Sequence, residues 1–306
     1  MDIVKSFAVG AGDMYYINHS SSNFTIIDCC LDYDDESKAA KSRILREIAD
    51  QSRGKNIVRF ISTHPDEDHI SGLATLHEQS KIQNFYRVNN QVAKAGEESE
   101  DFKLYKVLRD NQDISFELTK GCKRKWMNLS DASNGSANIE CLWPVKENDS
   151  YKIALEVAKS VGKPNNISPV IRFTSGKFSF LWMGDMETEM QEELAKTVRI
   201  PETTVVFAPH HGRKSGHIPA KLMQMLNPML IIVGEADSGD LDYYMQQHTI
   251  TQNTAKDIAF CVEGNMLDIY VGNPNYSVTY PLYQRYYKPQ VMLGMHYIGG
   301  ICIADD

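Results

Sequence analysis

The sequence contains the stretch ISTHPDEDHISG at residues 61–72, in which two histidines and two aspartates lie within six residues after a strand-like run. His64 and Asp66 are two positions apart, so an extended loop projects both side chains to the same side. Asp68 and His69 fall at the start of the next predicted helix and point at a second position. This arrangement is able to hold two metal ions.

A simpler interpretation of the same stretch is the acidic N-terminus of a helix. Aspartate is common there because its carboxylate accepts hydrogen bonds from free amide groups and is stabilised by the helix dipole. That interpretation leaves the two histidines unexplained. Two later strand-like runs also end on metal-binding residue types, with Asp185 after residues 180–184 and His210 and His211 after residues 205–209. Because catalytic groups lie beyond the carboxyl ends of strands in α/β sheets, the three strand ends predict one shared site.

Strands and helices alternate along the chain around these motifs. The apolar patterns predict strands at residues 3–9, 14–18, 23–30, 56–62, 82–88, 138–143, 168–174, 178–183, 203–208 and 229–234, and helices within residues 32–53, 70–79, 186–197 and 219–226. The fold class predicted from this alternation is α/β, with a strand-then-helix pattern in both halves.

Residues 90–137 interrupt the alternation because they are polar and mixed, with an acidic run at 97–101 and a Gly/Ser/Asn-rich stretch at 130–138. We interpret this segment as an insertion or lid with a solvated face. The remainder of residues 1–285 is predicted to form one domain, and residues 286–306 a C-terminal tail packed on it.

Composition excludes several classes of protein. The chain has 306 residues, 42% of them hydrophobic and 24% charged, which is typical of an ordinary globular protein. A net charge of −8 argues against tight, indiscriminate binding to duplex nucleic acid. The six cysteines include no Cys-x-x-Cys pair, so they predict neither a disulfide framework nor a thiolate zinc site. The start of the sequence lacks a signal-peptide pattern and no apolar run reaches the ~20 residues of a membrane span, so we predict a cytoplasmic protein without membrane contact.

Taken together, these motifs resemble those of the metallo-β-lactamase-fold hydrolase superfamily, whose signature is His-x-His-x-Asp-His followed by Gly-Asp and a later His-Gly. The sequence is most similar to the soluble hydrolase domain of bacterial competence (DNA-uptake) proteins. The motifs that occur in the order of that branch are VGAGD at 9–13, IID at 26–28, LWP at 142–144, NISPV at 166–170, MGD at 183–185 and HHG at 210–212. The resemblance covers about residues 3–275 and implies a four-layer αββα sandwich.

The resemblance also implies a binuclear metal site that holds two divalent ions, Zn²⁺ or Mn²⁺. The residues that it makes metal ligands are His64, Asp66, Asp68, His69, Asp185 and His211. His64 and Asp66 would bind one ion, Asp68 and His69 the other, and Asp185 would bridge the two. His211 matches the last ligand, whereas His210 is left as a ligand of metal, of phosphate or of the leaving group.

Two departures from the superfamily pattern affect the expected metal. Asp66 stands where many members have histidine, which favours oxygen-preferring Mn²⁺ or Mg²⁺ over a site that binds zinc alone. The middle histidine ligand is absent as well, because residues 165–168 read NNIS at the matching position. One ion is therefore expected to be held more weakly or to be completed by water.

The function predicted from these residues is hydrolysis of phosphodiester bonds in nucleic acid or a nucleotide by metal-activated water, with Asp68 orienting the water and His210 or His211 protonating the leaving group. A lactonase or other acyl hydrolase is the alternative enzyme, since one fold supports several reactions. A different alternative is a catalytically silent binding or regulatory module that contacts a protein partner through residues 90–137. Asp13 and Asp28 are interpreted either as carboxylates that orient ligands or as simple turn residues.

Overall fold

A computed structural model of this protein describes residues 1–31, 38–94, 96–236, 239–285 and 287–304. The strands within these ranges are β1 Asp2–Ser6, β2 Tyr15–Asn18, β3 Asn23–Ile27, β4 Ile57–Ile61, β5 Asn84–Arg87, β6 Ser115–Glu117, β7 Ile139–Trp143, β8 Val170–Ser175, β9 Phe178–Trp182, β10 Val205–Phe207, β11 Leu230–Val233, β12 Thr249–Thr251, β13 Ile258–Glu263, β14 Met266–Val271, β15 Val291–Met292 and β16 Met295–Cys302. The α-helices are α1 Lys38–Ser52, α2 Glu67–Ile70, α3 Leu73–Ser80, α4 Glu100–Asp110, α5 Asp149–Val161, α6 Thr188–Thr197, α7 Ala220–Leu226 and α8 Gln252–Ala255. None of these helices combines the length and the apolar character that crossing a lipid bilayer requires.

The described strands form two sheets. The larger has the order β15-β16-β14-β13-β1-β2-β3-β4-β5-β6, and the smaller has the order β12-β11-β10-β9-β8-β7. Strands β3 to β6 run parallel to one another, as do β9 to β12, whereas the other neighbouring pairs are antiparallel. Each sheet therefore presents a row of parallel carboxyl ends at one edge, where a site is expected.

Alternating side chains on the strands separate three apolar cores. In β4, Phe60 packs with the side chains of α1, α3 and α4, whereas its neighbour Ile61 packs against the other sheet. In β9, Phe180 faces the larger sheet and Leu181 faces α5, α6 and α7. Because consecutive residues of a strand point to opposite faces, each sheet is buried on both sides. The layers are helix, sheet, sheet and helix, so the predicted four-layer αββα sandwich is confirmed.

The helix predicted within residues 70–79 is present as α3, but it begins only at Leu73. The structure has two helices, α2 and α3, separated at Ser71 and Gly72. Gly72 has φ 83°, and a Cβ atom there would lie 2.5 Å from the Leu31 Cβ, so only glycine fits this turn. The helix predicted within residues 32–53 is present as α1, while residues 32–37 lie outside the described ranges.

Residues 90–137 contain regular structure that the sequence analysis missed. Helix α4 begins after Ser99, whose Oγ accepts a hydrogen bond from the Phe102 backbone N–H, and it buries Phe102, Tyr105 and Leu108 in the helix-side core. The interpretation of a solvated face is wrong for this helix, because two of its three acidic residues lie in the first turn and its apolar residues recur at helical spacing. A role of the segment as a lid stays a prediction.

The chain after β14 returns to the larger sheet. Strand β16 pairs with β14, from Met266 opposite Cys302 to Val271 opposite His296. Tyr286 and residues 305–306 of the predicted tail lie outside the described ranges. The boundary between a domain at 1–285 and a tail at 286–306 stays a prediction.

Candidate metal centre

Three loops that follow parallel strands meet between the two sheets. The loop after β4 carries the motif at residues 61–72, and the loop after β9 carries Gly184 and Asp185. The loop after β10 carries His210 and His211. The backbone N–H of His210 donates to the Gly184 carbonyl at 3.0 Å, which joins the second loop to the third. The fold therefore brings residues that are far apart in sequence to one position.

Four of the predicted ligands form a compact group. Asp68, His69, Asp185 and His211 each offer one ligand atom, and these atoms lie within 4.8 Å of one another. The Asp185 Oδ1 atom lies 3.1 Å from His69 Nε2 and 3.6 Å from His211 Nε2. The Asp68 Oδ2 atom lies 3.6 Å from the same His211 nitrogen. One divalent cation would fit among these atoms.

The other oxygen of Asp185 faces a second, looser group. Its Oδ2 atom lies 3.5 Å from His210 Nε2 and 4.0 Å from His64 Nε2. Asp66 approaches His64 Nε2 at 3.9 Å, while its other oxygen forms a 2.7 Å ion pair with Lys94 Nζ. The two oxygens of Asp185 thus point to two separate sets of side chains, which is the geometry of a bridging carboxylate.

Whether a metal ion fits this site can be judged from its buried polar atoms that lack hydrogen bonds. The Nε2 atoms of His64, His69 and His211 and the Oδ1 atom of Asp185 are buried and make no hydrogen bond with any described residue. Buried polar atoms are normally paired, because leaving one unpaired costs about 1–3 kcal/mol. Imidazole nitrogen and carboxylate oxygen are ligands of divalent transition metals, so cations in the two groups would satisfy these four atoms.

Two buried carboxylates hold the ring orientations in the compact group. Asp28 Oδ2 lies 2.9 Å from His69 Nδ1, and Asp13 Oδ1 lies 3.1 Å from His211 Nδ1. Thr63 donates its backbone N–H and its hydroxyl to Asp28 at 2.8 and 2.6 Å. With Nδ1 engaged behind each ring, Nε2 is directed into the centre. Both aspartates therefore contact the candidate ligands, which goes beyond the turn-residue interpretation.

His64 is supported by hydroxyl groups instead of a carboxylate. Its Nδ1 atom lies 3.0 Å from Thr63 Oγ1 and 3.3 Å from Ser168 Oγ. Burial, together with the neighbouring His69, lowers the pKa of His64 to about 3, so the ring is neutral at physiological pH and its lone pair is free. Ser168 belongs to the stretch 165–168 that stands where the middle histidine is expected, and its hydroxyl lies behind His64.

Electrostatic interactions keep the carboxylates of the compact group ionised. Burial alone would raise the pKa of Asp68, but the neighbouring His211 ring and the charge of His69 lower it to about 2. Burial likewise opposes ionisation of Asp185, yet His69 and His211 hold its pKa well below the usual range. In the metal-free protein the same pairing raises the pKa of His69 above its usual range despite burial, so a binding cation displaces a proton.

The turn that carries the paired histidines has an unusual backbone. His210 has φ 53° and His211 has φ 57°, both in the left-handed region that is costly for residues with a side chain. Gly212 follows with φ 92°, and a Cβ there would lie 2.5 Å from Val233 Cγ1. This conformation aims two consecutive imidazoles at the two oxygens of Asp185.

The family of the chain follows from comparison with known proteins. Residues 8–233 match the model of the Metallo-beta-lactamase superfamily. The chain belongs to the metallo-beta-lactamase superfamily. Members of this superfamily are usually metal-dependent hydrolases or related enzymes, and its centre binds two metals. A comparison with curated protein sequences finds no match.

Several solved structures are similar to this chain at low sequence identity. CmlA, a diiron beta-hydroxylase from Streptomyces venezuelae, is 13% identical with a TM-score of 0.44, over 76% of this chain and 44% of that chain. A protein of the metallo-beta-lactamase superfamily from Thermotoga maritima is 12% identical with a TM-score of 0.32, over 77% of both chains. Unliganded PDE1 from yeast is 12% identical with a TM-score of 0.39, over 78% of this chain and 89% of that chain. This chain thus spans less than half the length of CmlA.

Sequence reasoning missed the cation beside the second group. Lys94 lies in the polar segment 90–137, where no motif distinguishes it from other exposed lysines. Its 17% side-chain exposure and its ion pair with Asp66 become visible only when the loops are assembled. Lys94 therefore offsets the negative charge of Asp66, one of the carboxylates of the candidate centre.

Replacing Asp28 by asparagine should weaken metal binding by about 10- to 100-fold, the usual effect of removing a partner behind a metal-binding histidine. Asparagine suits the φ of 55° at this position and keeps an oxygen for the Thr63 N–H. It places an amide N–H against His69 Nδ1, so the ring orientation is disturbed. Titration with Mn²⁺ or Zn²⁺ against a chromogenic chelator measures the affinity.

The matched control is Asp257→Asn, the same change at a buried carboxylate that contacts Lys5 and Arg43. It is expected to lower stability and leave metal affinity unchanged. Equal affinities for the wild type and the Asp28 variant would show that Asp28 has no orienting role.

Proposed function

We propose that this chain is a two-metal hydrolase that cleaves phosphodiester bonds in nucleic acid or a nucleotide. The observation that carries the proposal is the set of buried, unpaired ligand atoms around the two oxygens of Asp185. Two divalent cations bound there, Zn²⁺ or Mn²⁺, would activate a water molecule and neutralise charge on the attacked ester.

The residues of the chain divide the work in this proposal. Asp68, His69 and His211 would hold one cation and His64, Asp66 and His210 the other, and Asp185 would contribute to both. His210 would thereby supply a nitrogen ligand to the second cation, for which this chain lacks the middle histidine of the superfamily pattern. Asp68 accepts a hydrogen bond from the attacking water and fixes its direction.

Cationic side chains support a phosphodiester substrate over a neutral ester. Arg213 and Lys214 line an open cavity of about 650 Å³ together with Ser215 and three acidic residues, Glu187, Glu189 and Asp240. Ser215 Oγ lies 2.8 Å from His210 Nδ1, so one wall of the cavity contacts a candidate ligand. Arginine and lysine at this position suit the charged oxygens of a phosphate, which an acyl hydrolase does not need.

A catalytically silent module is the less well supported alternative. Such a protein would have to keep several buried polar atoms unpaired, at a cost in stability, without the cation that satisfies them. The proposal also includes a place in the competence branch, a cytoplasmic location and a protein partner that contacts residues 90–137. These three parts rest on the sequence alone.

The test is metal content combined with turnover. Elemental analysis of the purified protein gives the number of bound ions, and bis(para-nitrophenyl) phosphate reports phosphodiester cleavage after exchange into Mn²⁺ or Zn²⁺. We expect Mn²⁺ to support turnover at least as well as Zn²⁺, because Asp66 replaces a nitrogen ligand by a harder oxygen. Activity with Zn²⁺ alone across a titrated range would contradict this prediction.

A lactone and para-nitrophenyl acetate serve as comparison substrates in the same assay. Faster hydrolysis of either than of the phosphodiester would favour the acyl hydrolase. Absence of bound metal together with absence of turnover would favour the silent module.

A further inference from the structure

A groove runs from the candidate metal centre along helix α5. Its volume is about 460 Å³, within the range of small-molecule sites. One wall is aliphatic, formed by Ile153, Ala154 and Val157 of α5 and by Met190 of α6. The opposite end is polar and includes Asp66. The groove is therefore amphipathic along its length.

The aliphatic wall is unusually exposed. Ile153 is 65% exposed and Val157 is 37% exposed, although these residues lie four positions apart on one face of α5. The buried face of the same helix is formed by Tyr151, Ala154 and Ala158, so packing of the helix against the domain does not require the exposed pair. Exposed apolar side chains that line a cavity commonly mark a binding surface.

The polar end of the groove belongs to the metal centre. Asp66 lies 3.9 Å from His64 Nε2, and Glu187 follows the bridging Asp185 by two residues. Glu187 is fixed by a reciprocal pair of hydrogen bonds with Asn166, at 2.8 and 3.0 Å. A group that occupies the groove would therefore be attached within a few bonds of the reacting atoms.

The chemistry of the lining identifies the occupant. No side chain of the groove is aromatic, whereas proteins that hold nucleobases without pairing them use aromatic rings as stacking platforms. An alkyl or aryl group gains from aliphatic contact and needs no hydrogen-bond partner.

We infer that the groove binds an apolar substituent of the substrate, so that the phosphodiester cleaved at the centre carries an alkyl or aryl group. This inference rests on the proposed function and narrows its substrate class. Ile153 and Val157 are the specificity-determining residues, since their side chains form the part of the wall that is open to solvent.

The test compares para-nitrophenyl phosphodiesters whose second ester group is methyl, butyl, octyl or thymidine. Each methylene that enters the groove should raise kcat/KM by up to about fourfold, so the butyl ester should exceed the methyl ester by about tenfold or more. Ile153→Asp should bring the octyl-to-methyl ratio close to one. Val161→Asp is the matched control, an exposed apolar residue one turn further along α5 that does not line the groove.

Binding of octylphosphonate and methylphosphonate, measured by calorimetry, reports on the groove without any turnover. Tighter binding of the octyl compound that is lost in Ile153→Asp, in a protein that cleaves no phosphodiester, would retain the groove and reject the proposed function. Phosphodiester cleavage with equal rates for all alkyl esters, or with a preference for the thymidine ester that Ile153→Asp leaves unchanged, would overturn the inference and retain the function.

Discussion

Replacing Asp185 by alanine is expected to abolish metal-dependent hydrolysis and to lower the amount of bound metal. The side chain is almost fully buried, and its two oxygens face both sets of candidate ligands, with His69 Nε2 at 3.1 Å and His210 Nε2 at 3.5 Å. We expect kcat/KM to fall by at least about 10³-fold, the upper end for removal of one group that stabilises charge in a transition state.

Thermal melting separates loss of metal from loss of fold. A cation that binds only the native state stabilises it by about 2.7 kcal/mol at 100 times its Kd, so EDTA should lower the Tm of the wild type. The Asp185→Ala variant should respond much less to EDTA, whereas Glu192→Ala, which removes an exposed carboxylate of α6, should behave like the wild type. Full metal occupancy and normal turnover in the Asp185 variant would refute the assignment.

Replacing Asp68 by asparagine is expected to separate orientation of water from metal binding. The side chain is about one-third exposed, and its Oδ2 atom lies 3.6 Å from His211 Nε2. Asparagine keeps the shape and one oxygen ligand, so part of the metal should remain bound. It loses the negative charge that accepts a hydrogen bond from the attacking water, so kcat should fall on the order of 10²-fold or more.

The control is Glu67→Gln, which changes the adjacent exposed carboxylate that accepts a hydrogen bond from Ser99 Oγ at 3.1 Å. It should leave kcat and metal content unchanged. A rise in KM with kcat preserved in Asp68→Asn would mean that Asp68 binds substrate or is structural, and the mechanism would have to be abandoned.

Local patterns predicted the parts of the centre that are close together in sequence. His64 and His69 stand out in the sequence because ligands that follow one strand must be neighbours along the chain. The roles of Asp13 and Asp28 stayed open, since their histidine partners are 198 and 41 residues away and turns also favour aspartate. Whether such residues meet depends on how the two sheets pack together. The hydrophobic periodicity of the sequence carries no information about that packing.

Other features of the structure that the sequence did not predict also have physical causes. The break between α2 and α3 depends on the close approach of Leu31 to Gly72, a tertiary contact that overrides the helical pattern. Helix α4 was hidden by charge, because the acidic run at its N-terminus resembles a solvated segment until the burial of Phe102 and Tyr105 is known. The Lys94–Asp66 ion pair has no local signal at all.

The position of the centre between the two sheets has a mechanical consequence. His64, Asp68 and His69 follow a strand of the larger sheet, whereas Asp185 and His211 follow strands of the smaller sheet. A cation held by both groups is a cross-link that closes a chain loop of more than a hundred residues between His69 and Asp185. The sheets could not separate while this cross-link held, so metal release would become part of the barrier to unfolding, and we expect the loaded protein to unfold more slowly than the metal-free one.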